Sequence, residues 1–182
     1  MATEESQNTP AQAANPFSSG DVAAILRERG WLIAEPAEVH LAWCEHAAAI
    51  LGTHVSDRAA LADLLSLVFH YNAPEILALA DNQAVMSRYA ARDVLRRLGL
   101  LLLEGGPLTS DRFKEIIDRL KTELDIRGRE LFHPIRLALA GRAGEGELDR
   151  VILLLDEAAV LPFATLVKSP RERILEFCAA LD

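Results

Sequence analysis

Apolar residues that return every three or four positions between helix caps constrain this chain more than any other feature. In the stretch after Thr109, the residues Phe113, Ile116, Ile117, Leu120 and Leu124 form one stripe of an amphipathic helix, with charged residues opposite. Thr109 or Ser110 supplies its N-cap, and Gly105-Gly106-Pro107 breaks the chain before it. No segment alternates apolar and polar residues as a half-buried strand does, so the chain is expected to be all-α.

The same signals recur along the chain. A helix starts at Asp21, buries Val22, Ile25 and Leu26, and stops at Gly30. Pro36 suits the first position of a second helix with Val39, Trp43, His46, Ala47 and Ile50 inward, ended by Gly52. Ser56 reads as the cap of a third, which buries Leu61, Leu64, Leu65, Val68 and Phe69, and Pro74 separates it from the next helical segment. A longer helix from about Asn82 to Leu98 is expected to bury Val85, Met86, Tyr89, Val94, Leu95 and Leu98. Pro134 opens a short helix ending at Gly141, and Glu147 opens another. Ser169-Pro170-Arg171-Glu172 is a capping box for a last helix that buries Ile174, Leu175, Phe177, Cys178 and Leu181.

Charge is unevenly placed. The net charge of −8 disfavours an indiscriminate nucleic-acid binder. Residues 1–80 carry ten acids and three bases, whereas residues 88–142 carry twelve bases and eight acids, so a local basic surface fits on an acidic protein. The two cysteines, Cys44 and Cys178, form no C-x-x-C pair and suit a reducing compartment. Residues 1–20 hold no Lys or Arg and no sustained apolar run, so no secretory signal and a disordered lead-in are expected. No apolar run approaches the roughly 20 residues of a membrane helix. A soluble, cytoplasmic protein is the expectation.

Arg127, Gly128, Arg129, Leu131, Phe132, Pro134, Ile135, Arg136, Ala138, Leu139 and Gly141 carry a family resemblance: a basic turn with Gly, Leu-Phe, Pro-x-Arg, and a small-residue helix ending in Gly. The pattern resembles the C-terminal anticodon-binding region of bacterial glutamyl-tRNA synthetases, and it extends over residues 20–155 through Arg29-Gly30-Trp31, the helix from Pro36, and His54 to Phe69. The resemblance implies an all-α helical bundle in two small packed subdomains, like the helical cage of those enzymes. Their boundaries are expected at 21–104 and 105–182, the second with an extra C-terminal helix, after the lead-in 1–20. It also implies binding of tRNA, glutamate-specific by family, or docking beside a separate synthetase catalytic subunit. Neither ATP-site motif of a class I synthetase occurs, and Lys168-Ser169 belongs to a helix cap, so no catalysis and no cofactor are expected. The opening Met1 suits a free-standing protein. Where the family has basic residues and Thr, this chain has His54-Val55-Ser56-Asp57-Arg58, and with the net charge and the extra helix this supports an alternative: a helical protein-interaction or regulatory module that has lost RNA binding.

Candidate RNA-binding residues are arginines. Arg88, Arg92 and Arg96, spaced by four, follow one another along a helix with Arg97 beside them. Arg127, Arg129, Arg136 and Arg142 join them as an RNA-facing patch, weighed against a solvated face paired with Asp93 and other acids. Arg136, alone in an apolar segment, is weighted toward a structural role. Lys114, Arg119 and Lys121 sit near Asp118, Glu123 and Asp125, which favours surface ion pairs. His40, Cys44 and His46 lack a fourth ligand at a characteristic spacing, so no metal is expected. The Gly141, Gly144 and Gly146 elbow follows no strand and is not a phosphate loop, and Trp31 and Trp43 are expected in the core.

Overall fold

The computed structural model describes residues 15–182, and within them the regular structure is entirely helical. In chain order the helices are α1 (Ser19–Glu28), α2 (Glu38–Leu51), a 3-10 turn (Gly52–His54), α3 (Arg58–Phe69), α4 (Ala73–Ala78), α5 (Ala80–Met86), α6 (Ala91–Leu103), α7 (Ser110–Leu124), α8 (Arg129–Ala140), α9 (Glu147–Leu153), α10 (Leu155–Ala159) and α11 (Pro170–Leu181). This is an all-α bundle.

Local chemistry sets most of the boundaries. Ser18 and Asp21 form a capping box that starts α1 two residues before the expected Asp21, and Asn15 donates to the Ala48 carbonyl at 2.7 Å, tying residue 15 to α2. The rest of the expected lead-in, residues 1–14, lies outside the described residues. Asp57, not Ser56, caps α3, because its carboxylate reaches the Ala60 N–H at 2.8 Å. Pro36 precedes the cap of α2 instead of opening the helix. The Ala37 N–H there donates to His40 Nδ1 at 3.0 Å, and this inward His40 turns the buried face onto Trp43, Cys44, Ala47, Ala48 and Leu51, leaving Val39 exposed. Thr109 caps α7 and the Ser169/Glu172 box caps α11, as the sequence indicates.

Helix α8 is the axis of the bundle. It begins at Arg129, a full turn before Pro134, which therefore lies inside it, and every residue from Pro134 to Ala140 is buried. A segment buried on every side has to be surrounded, and α5, α6, α9 and α11 pack against the helix. Gly141 ends it with φ +81, a left-handed conformation that favours glycine.

Trp31 stacks on Phe69 with ring centroids 4.7 Å apart, while Trp43 and Phe163 meet Phe69 edge-on. Both tryptophans thus join the core. His40 completes this group, its Nε2 donating to the Pro162 carbonyl at 3.3 Å. Cys44 is buried, which pushes its thiol up to about 11, and His46 turns instead to Glu157. Among the described residues no group of His, Cys, Asp and Glu could hold a metal ion.

The last helix is integral to the fold. Arg173 is fully buried and donates to four carbonyls: Lys168 at 3.0 Å, Leu67 at 3.0 Å, Leu139 at 2.9 Å and Val68 at 2.7 Å. Its guanidinium lies over the Tyr71 ring, 4.6 Å from the centroid. One side chain thereby closes the carbonyl ends of α3 and α8 onto α11. Leu175, expected inside, is exposed instead, because the inward face of α11 runs through Pro170, Arg173, Ile174 and Phe177.

Candidate nucleic-acid interface

The long helix expected from Asn82 to Leu98 is broken. It stops at Met86, crosses Ser87 to Ala90 as a turn, and resumes at Ala91. A helix turning about 100° per residue would set Val85 and Met86 on nearly the opposite side from Val94, Leu95 and Leu98. All five are buried, so the chain has to reorient between them. The Ser87 hydroxyl eases the stop by donating to the Ala84 carbonyl at 2.9 Å. Tyr89, expected in the core, stands at the apex of the turn with 101% relative exposure.

The break also redistributes the arginines. Arg88 leaves the α6 face that carries Arg92 and Arg96 and donates instead to His133 Nδ1 of α8 at 3.3 Å. Burial, then the charges of Arg88 and Arg129, with a smaller push from Arg136 against the pull of Glu145, hold the His133 pKa below its ordinary value. The ring is therefore neutral at pH 7, consistent with its accepting from a guanidinium that can only donate. Arg88, His133, Arg142 and Ala143 share a groove of about 500 Å³ with Asp81 and Asn82. On the other side of the turn Arg88, Tyr89 and Arg92 border a second groove of about 510 Å³, with Gln83, Met86 and Leu181.

The eight arginines thus divide. Arg88, Arg92 and Arg129 are exposed and form no ion pair among the described residues. Arg127 is exposed on the turn before α8. Arg142 is held bidentate by Asp63, with bonds of 2.8 and 3.3 Å, and this contact lowers the Asp63 pKa. Arg97 pairs with Glu123 of α7, and Arg96 reaches toward Asp93 at 3.9 Å. Arg136 is buried: Nε and Nη2 grip both oxygens of Asp149 at 2.8 and 2.9 Å, Nη1 donates to the Gly144 carbonyl at 2.8 Å, and Phe132 covers its face. It holds the glycine elbow against α8, a structural use.

On α7, Arg119 pairs with Glu123 at 3.5 Å, and Lys121 lies over the Phe132 ring. A groove of about 750 Å³ there sets Lys114, Lys121 and Arg150 against Asp118, Glu147 and Asp149, a balanced lining with no preference for an anion. Two members of the basic surface were missed in the sequence, His133 and the exposed Tyr89. The mismatch in helical phase between Val85-Met86 and Val94-Leu95 was the signal for Tyr89; His133 had none, since its role depends on the approach of Arg88.

The family model described as the anticodon binding domain matches residues 11–161. Glutamate–tRNA ligase 2 of Syntrophus aciditrophicus (strain SB) is 33% identical over 100 residues, 55% of this chain and 21% of that protein. The glutamate–tRNA ligase of Desulforudis audaxviator (strain MP104C) is 30% identical over 148 residues, 77% of this chain and 28% of the relative. That of Exiguobacterium sibiricum is 28% identical over 143 residues, 75% of this chain and 28% of the relative. The chain therefore spans less than a third of the length of these relatives. No solved structure gives a significant match. Among the described residues no helix is long and apolar enough to cross a membrane.

Proposed function

The chain belongs to the anticodon-binding-domain family, in its glutamate–tRNA ligase type, and we propose on that premise that it binds the anticodon arm of a tRNA across the Arg88–His133 surface. A glutamate-specific tRNA is the ligand we favour, in a cytoplasmic setting, with the chemistry of aminoacylation supplied by a catalytic module in the same or a separate chain. The chain's own part is recognition, with no chemical step, cofactor or metal.

The observation that carries this reading is the meeting of Arg88 with His133, which gathers arginines from the α5–α6 turn and from α8 onto one face. Phosphates need such cations, and the net charge of −8 means that the remaining surface repels RNA and orients its approach. Unpaired anticodon bases expose edges and faces that a duplex hides, which suits the grooves on either side of Arg88.

A salt series with glutamate tRNA tests it. With Arg88, Arg92 and Arg129 engaged, log affinity should fall with log salt at a slope of roughly 2 to 3, using about 0.7 to 0.9 per phosphate. Reversing Arg88 and Arg129 to Glu should weaken binding at least about tenfold, as loss of several charge-assisted phosphate contacts demands. Absence of binding by the wild type at low salt would sink the proposal. The internal pairing of Arg97, Arg136 and Arg142 favours the second reading, a protein-docking module without RNA contacts. Copurification with a synthetase catalytic module after nuclease treatment would support that one.

A further inference from the structure

We propose that the Ser87–Ala90 turn is a seat for one unpaired nucleotide, its base stacked on Tyr89 and its flanking phosphates held by Arg88 and Arg92. This rests on the reading of the chain as a tRNA binder and adds a site to it.

Three observations point the same way. Tyr89 is fully exposed, so its ring adds no packing to the fold, although in an unbroken helix it would follow buried Val85 by four residues on the same face. The groove beside it, about 510 Å³, is of the size that small ligands and single nucleotides fill. Its lining carries two arginines and no carboxylate on a chain of net charge −8, with Met86 and Leu181 as an apolar floor and the Gln83 amide at its edge. An apolar floor, a free aromatic face and two cations at one turn match a base with its phosphates, because every base has a face to stack and every linkage a negative charge. A duplex offers neither a free base face nor the reach into a groove of this size, so the seat selects for looped or single-stranded RNA.

The test uses the full chain, with a hairpin of the glutamate-tRNA anticodon arm and a blunt duplex of the same stem, and reads affinity by fluorescence anisotropy across a salt series. Tyr89→Ala should weaken hairpin binding roughly tenfold to hundredfold, leave the salt slope unchanged, and leave duplex binding as it was. Tyr89→Trp should retain hairpin binding, whereas Arg92→Ala should lower the slope by about one. Because the Tyr89 side chain is fully exposed, far-ultraviolet circular dichroism should show Tyr89→Ala folded. Wild-type affinity in Tyr89→Ala, alongside a loss in Arg88→Glu, would overturn the seat and leave the basic surface standing. Equal losses in Tyr89→Ala and Tyr89→Trp would also overturn it. Failure of the wild type to bind either RNA at low salt overturns both the seat and the reading beneath it.

Discussion

Arg173 shows what a single side chain does in this fold. Its four carbonyl acceptors are left unpaired if the guanidinium goes, and buried polar groups without partners are costly. Arg173→Met should therefore lower the free energy of unfolding by about 3 to 5 kcal/mol in urea denaturation, whereas exposed Leu175→Ser on the same helix should change it by less than about 0.5 kcal/mol. Burial pushes the Arg173 pKa down to about 10, which still leaves it charged at neutral pH. At His133 the folded-state pKa is depressed, so on acidification the unfolded chain takes up a proton before the folded one does. Stability should fall as pH drops below about 6.5, and His133→Gln should flatten that slope in denaturation measured at pH 7 and pH 5.5. Bound phosphate reverses the environment of the ring, so RNA affinity should rise over the same interval. Arg173 stands in the capping-box helix as one more charged residue of the sequence; the carbonyl ends that make it indispensable come from α3 and α8, more than thirty residues away.

At the scale of elements, caps and breakers were legible where their chemistry is local. Thr109 and Ser169 act within three residues of themselves, and Gly30 and Gly141 each end a segment with positive φ. The two glycines differ in surroundings, and this sets a measurable difference. An added Cβ at Gly30, φ +74, meets nothing within 4 Å, so Gly30→Ala should cost about 1 kcal/mol from backbone conformation alone. At Gly141 the Cβ would lie 3.2 Å from the Ile76 side chain, so Gly141→Ala should cost about 1 kcal/mol more in the same urea assay. Phase was harder to read than boundaries. The face of α2 turns by one residue because His40 binds the Ala37 N–H, and α5 and α6 separate because their apolar faces oppose each other.

Across the whole molecule, α11 packs on α4, α6 and α8, and α6 packs on α8, so helices from both sides of residue 104 share one core. We propose the junction of residues 104 and 105 as the seam between two subdomains, 21–104 and 105–182, that fold as one body. Proteolytic nicking after Glu104, an exposed site in a glycine-containing turn, should leave both pieces in one peak of native size-exclusion chromatography. Two separate peaks would show that the seam divides independent units.

Residue order alone was enough to establish that the chain is all-α, where α7, α9 and α11 begin and where α2 and α8 end, and which family it resembles, because caps, breakers and 3.6-residue periodicity act over a few neighbouring residues. It also weighted Arg136, still one of the RNA-binding candidates, toward a structural role, since a lone cation in an apolar helix needs an internal partner. Which arginines stay free and which are neutralised was left to tertiary packing. Asp63 reaches Arg142, Glu123 reaches Arg97 and His133 meets Arg88 from at least 26 residues away along the chain. Charge pairing is governed by distance in space, so the basic surface and its exposed tyrosine emerged only once the helices had packed.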